Sequence, residues 1–78
     1  MSPHNSTLPH AVMQAVVEGA TPVKAWREHL GISQAEVAAR LEISQSAYSQ
    51  QESSDKPSPD DLKHIAKALG QTPEQLDF

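Results

Sequence analysis

An all-α fold is what this chain predicts, and three observations predict it. Helix punctuation recurs: Thr21-Pro22, Ser58-Pro59 and Thr72-Pro73 each set a proline at the first helical position behind a hydroxyl cap. Gly19, Gly31 and Gly70, the three glycines of the chain, each follow a segment of helical apolar spacing, where a left-handed residue stops a helix. No stretch alternates as a half-buried strand would, and the sequence holds no repeat or low-complexity segment. Its 78 residues suffice for one domain. A chain of this size buries only about 60% of its unfolded surface, so association would help to stabilise it.

The elements follow in order. Residues 1–7 read as a mobile tail. Residues 8–20 hold a first helix, over about 9–18, with Leu8, Val12, Val16 and Val17 along one stripe. Residues 21–78 form the main domain, with helices expected over Pro22–Leu30, Gln34–Leu41, 45–51 and Pro59–Leu69 and a last turn at Pro73–Leu76. Ser33 with Glu36 and Thr72 with Gln75 have the spacing of capping boxes. Residues 53–58, SSDKPS, read as a polar loop. The expected core is Val23, Trp26, Leu30, Ile32, Val37, Ala38, Leu41, Ile43, Tyr48, Leu62, Ile65, Ala66, Leu69 and Leu76. Trp26 and Tyr48 fall at apolar-periodic positions without basic-aromatic interleaving, which makes them core residues, not platforms for bases.

Residues 33–52, SQAEVAARLEISQSAYSQQE, carry the most information. They read as two short helices joined by a tight turn, locked by Val37, Leu41, Ile43 and Tyr48, with a small Ala38 where the helices approach closely. The second helix then turns Gln45, Ser46, Ser49 and Gln50 outward. Short amides and hydroxyls donate to and accept from base edges, so the pattern points to a helix offered to the major groove of DNA. The bland alternative is a solvated polar helix surface, and the position directly after the hinge favours DNA.

Composition excludes other classes. No cysteine is present, which removes disulfides, thiolate metal sites and cysteine nucleophiles. The apolar runs are too short for a membrane span, and MSPHNSTLPH lacks the basic start and apolar core of a signal peptide, so a cytoplasmic location is expected. His4, His10, His29 and His64 lack the paired helical spacing of a zinc-protease site, so no metal and no cofactor is expected. Asp60 and Asp61 start a helix, where the dipole explains them, and no nucleophile elbow or phosphate loop occurs. No catalytic residue is expected and the chain does not read as an enzyme.

Charge cuts against nucleic acid. Ten acidic residues against six basic ones give a net charge of −4, and nucleic-acid binders usually carry a basic footprint. Asp60, Asp61, Glu74 and Asp77 lie towards the C-terminal end, however, which leaves residues 22–56 close to neutral. Arg40 and Lys56 read equally well as phosphate contacts or as surface charges, and Lys63 with Lys67 as a solvated face.

From residue 22 to residue 76, the segments WREHLGISQAEVA, ISQSAYSQQE and LKHIAKALG together resemble the Cro/repressor-type (xenobiotic-response-element-like) helix-turn-helix family of phage and bacterial regulators. The resemblance implies a compact five-helix lambda-repressor-like domain with an additional short N-terminal helix. It implies that Gln34, at the start of the second helix of that domain, helps to hold a phosphate. Gln45, Ser46, Ser49 and Gln50 take the positions that reach base edges, and Arg27 with Glu52 the positions of a partly buried ion pair. Ser54, Lys56 and Arg40 complete the expected phosphate contacts. Two positions depart from the family pattern: Glu42 stands where the turn usually has glycine, and Gln51 where the recognition helix is usually apolar. A left-handed Glu42 would be strained by roughly 1–2 kcal/mol.

The stretch LPHAVMQAVVEGATPVKAWREHLGISQ also resembles small antitoxins, in which a short helix precedes the helix-turn-helix. That resemblance implies a toxin as partner and repression of the protein's own operon. The expectations are therefore a sequence-specific transcriptional regulator, a repressor bound as a homodimer to palindromic double-stranded DNA, with a toxin as a further partner. The alternative is an interaction module that binds a toxin or other protein with little DNA binding of its own.

Overall fold

The computed structural model describes residues 8–77; the expected tail over 1–7 and His4 lie outside the described residues. Six helices follow one another: α1 (His10–Val17), α2 (Pro22–Leu30), α3 (Gln34–Leu41), α4 (Gln45–Ser53), α5 (Pro59–Leu69) and α6 (Pro73–Leu76). No strand occurs among the described residues, and the architecture is the all-α, lambda-repressor-like one.

The caps work as their residues dictate. The hydroxyls of Thr21, Ser33, Ser44 and Ser58 accept from the backbone N–H groups of Lys24, Glu36, Ala47 and Asp61, at 3.1–3.2 Å. Each satisfies one of the donors that a helix start leaves without a partner. The capping-box expectation at Ser33 needs correction: the Glu36 carboxylate turns away to Arg40 Nε at 3.2 Å, because an exposed i,i+4 charge pair competes for it. At the last turn, Gln75 Oε1 accepts from the Thr72 backbone N–H at 3.0 Å.

Helices α2, α3 and α5 all end in the same doubly bonded left-handed turn. Gly31 and Gly70 adopt φ 72°, with Ile32 N–H bonded to Arg27 O and Gln71 N–H to Ala66 O. Glu42 does the same work at φ 61°, with Ile43 N–H bonded to Ala38 O at 3.0 Å and Glu42 N–H to Ala39 O at 3.1 Å. It is the one non-glycine residue at positive φ among those described. The turn between α3 and α4 is thus made at a steric cost that a glycine there would avoid.

Val23, Trp26, Val37, Ala38, Tyr48, Ile65, Ala66, Leu69 and Leu76 are buried, while Leu30, Ile32, Leu41, Ile43 and Leu62 pack partly buried around them. Val12, on the apolar stripe expected of the first helix, joins the core, and so does Ala25, which was not expected there. Trp26 also donates through Nε1 to the Gln75 carbonyl at 2.7 Å, which ties α2 to α6. Two helices differ from expectation: α1 spans His10–Val17 where about 9–18 was expected, and α4 ends two residues later than expected. Helix α4 runs to Ser53, its last turn held by Ser53 Oγ donating to Ser49 O at 3.0 Å and by the burial of Glu52. Helix α1 packs mainly on α2, a single neighbour, so it buries only a narrow stripe: Val12 fully, Leu8, Ala15 and Val16 in part. Val17, assigned to that stripe from the sequence, is 78% exposed, and Met13 is 44% exposed.

Candidate nucleic-acid interface

The hinge aims α4. Ala38 and Val37 of α3 and Tyr48 of α4 are buried in one core, and the left-handed turn at Glu42 with the Ser44 cap fixes where α4 begins. Tyr48 is fully buried, which turns Ser46 and Gln50 outward, while Gln45, on the same side as Tyr48, is exposed at the first residue of α4. Gln45, Ser46 and Gln50 are exposed and Ser49 is half-buried; with Gln34 they line one shallow, open depression. None of the five residues carries a charge.

Beneath this face lies a buried polar knot. Glu52, 2% exposed, is the one buried charged residue among those described. Its carboxylate takes the Arg27 guanidinium through Nε and again through Nη2 at 3.3 Å, Gln34 Nε2 at 2.7 Å and the Tyr48 hydroxyl at 2.9 Å. Arg27 Nη1 donates also to Ile32 O at 2.8 Å, and the Thr21 hydroxyl donates to the Glu52 carbonyl at 2.6 Å. Helices α2, α3 and α4 are thereby pinned to one carboxylate. Burial alone would raise the Glu52 pKa; the hydrogen bonds from Arg27, Gln34 and Tyr48 outweigh it and hold the group below its ordinary value. The bond to Glu52 pushes Arg27 up, and burial, reinforced by that carboxylate, pushes the Tyr48 hydroxyl up. All three side chains keep their neutral-pH states.

The expected phosphate contacts fare differently. Gln34 sits beside the base-edge candidates, but its amide nitrogen is committed to Glu52, which leaves the carbonyl oxygen and one N–H for the depression. Arg40 lies elsewhere: Glu36 and the Ala68 carbonyl, at 2.8 Å from Nη1, draw it towards α5, on the wall of a different groove. Ser54 caps the end of α4 and is exposed. Lys56 lines a third hollow with Asp55, Pro57, Pro59 and Asp77, apart from the Gln34 depression. Sequence reasoning missed the Gln34–Glu52 and Tyr48–Glu52 bonds; the i,i+4 spacing of Tyr48 and Glu52 was the available signal.

No group of three or more His, Cys, Asp or Glu residues placed to hold a metal ion occurs among those described. No helix among them is long and apolar enough to cross a membrane.

This geometry, with a capped and buried hinge carrying a protruding polar helix face, is that of a helix-turn-helix DNA-binding domain. A family model described as helix-turn-helix matches residues 23–76, and the chain belongs to that family. No curated protein and no solved structure matches the chain. The matched span begins after α1, so α1 is an addition to the family's domain.

Proposed function

We infer that the protein is a sequence-specific DNA-binding transcriptional regulator acting as a repressor. The observation that carries this reading is the uncharged, protruding face of Gln45, Ser46, Ser49 and Gln50, held against Gln34 over a fully hydrogen-bonded base. Amides and hydroxyls read base edges in the major groove, whereas a basic face would chiefly grip phosphates. The free N–H groups at the start of α3 supply a phosphate contact beside that face. One such helix reads only a few base pairs, so the functional unit is a homodimer on a palindromic operator with half-sites about 34 Å apart. Such a regulator works in the cytoplasm, holds no cofactor and catalyses nothing.

A second reading rests on α1. Met13 and Val17, one turn apart and outside the family span, expose apolar surface that a partner could cover. A toxin neutralised by this helix would make the protein an antitoxin that also represses its own operon. Replacing the two exposed side chains together, Met13→Asp with Val17→Asp, should abolish toxin capture and spare operator binding.

The primary reading is tested by selecting duplexes from a random pool and measuring binding across salt concentrations. A selected consensus bound with a shallow salt slope supports it, because few cations line the face and few counterions are released. No enrichment at low salt contradicts it.

A further inference from the structure

Beside α4 lies a hollow of about 540 Å³, between the end of α3, the α3–α4 turn and α5. Its size falls within the range of small-molecule sites. Leu41, Ile43 and Ala68 give it apolar walls; Arg40, Lys67 and His64 stand on it with one carboxylate, Asp61. Three observations single it out. Arg40 is pre-set, its guanidinium held by Glu36 and by the Ala68 carbonyl, so no side-chain freedom is lost in fixing it. Lys67 has no acidic partner among the described residues. Gln51, half-buried where the family pattern is apolar, lines this hollow, and its side chain has no hydrogen-bond partner among the described residues. Lining an open groove, that amide keeps both its donor and its acceptor for an occupant.

We propose that this groove binds a small organic anion, an apolar carboxylate whose hydrocarbon body lies on Leu41, Ile43 and Ala68. Lys67 and the outer edge of the Arg40 guanidinium take the carboxylate, and the Gln51 amide donates to it or to the adjoining polar atom. The chemistry favours this occupant over a second copy of the chain. A two-fold contact through this groove would set Arg40 and Lys67 of one copy against the same cations of the other. Gln51 belongs to α4, the helix that also presents Gln45 and Ser49, so an occupant here touches the back of the DNA-reading element. The binding site itself exists whether or not the opposite face reads DNA.

The test is a titration of the isotopically labelled protein, without DNA, by two-dimensional amide NMR, with benzoate as probe and benzyl alcohol and inorganic phosphate as comparators. The expected result is a saturable shift confined to residues 40–43, the Gln51 side-chain amide and residues 64–68. Benzyl alcohol, which lacks the charge, and phosphate, which lacks the apolar body, should each bind at least about tenfold more weakly. Lys67→Ala, on an exposed position that leaves the fold intact, should weaken benzoate about tenfold, and Gln51→Leu should weaken it as well. Scattered shifts, no shift, or equal response to phosphate would overturn the proposal. Shifts at these same residues that grow with protein concentration alone would assign the groove to a second copy and overturn it too.

Discussion

Helix α4 carries two sets of polar side chains that do opposite work. Inward, Glu52 and the Tyr48 hydroxyl are saturated with hydrogen bonds and tie three helices together; outward, Gln45, Ser46 and Gln50 are exposed beside Gln34 and stay available. The difference teaches that polarity alone says nothing about role. A buried polar group must meet its partners at home, and an exposed one can meet them on another molecule.

The sharpest way to break this contrast is to remove the inner carboxylate. Glu52→Ala leaves Arg27 buried without its counter-charge and should cost about 3–5 kcal/mol, read by urea unfolding. A domain of this size holds only about 4–12 kcal/mol in total, so the variant should lose a large share of its stability. Acid does the same by degrees. Glu52 has a lower pKa folded than unfolded, so its contribution is complete above the ordinary glutamate value, about 4.3. It is lost as pH falls through the lower, folded-state value. Stability followed by circular dichroism should therefore decline on the acid side, and Glu52→Gln should flatten that decline.

The outer face should behave in the opposite way. Gln45→Ala should leave the melting temperature unchanged within the effect of an ordinary surface substitution, about 0.5 kcal/mol. It should nevertheless weaken operator binding by about 1–3 kcal/mol, measured by fluorescence anisotropy. Smaller again is the hinge. Glu42→Gly removes the left-handed strain but adds unfolded-chain freedom, a net gain of about 0.5–1 kcal/mol in thermal unfolding. Smallest is Val17→Ser, which at 78% exposure should change stability by less than about 0.5 kcal/mol. A larger loss in concentrated solution would mean that the α1 surface is covered by another copy.

Much of the fold was legible because it is written in local chemistry. A hydroxyl residue followed by proline at the start and a glycine at the stop marked both ends of α2 and α5, while Thr72-Pro73 marked the start of α6 and the Ser33 cap that of α3. The end of α4 was not legible: no glycine follows it, and Ser53 continues the helix through a bond to a carbonyl one turn back. Val17 was misassigned because helical periodicity marks a face without saying how wide a face the neighbouring helix will cover. The outward position of Gln45, Ser46 and Gln50 followed from the hinge pattern. The capture of Gln34 by Glu52 and of Arg40 by Ala68 did not, because those bonds join residues 18 and 28 positions apart. Spacing along a chain carries no signal for such pairs.

The measurement that bears most directly on the central claim compares two duplexes, the selected operator and a scrambled one, with wild-type protein and with Gln45→Ala. If the outer face of α4 reads bases, the substitution lowers affinity for the operator about tenfold or more and leaves affinity for the scrambled duplex unchanged. Equal losses on both duplexes, or none on either, would contradict it.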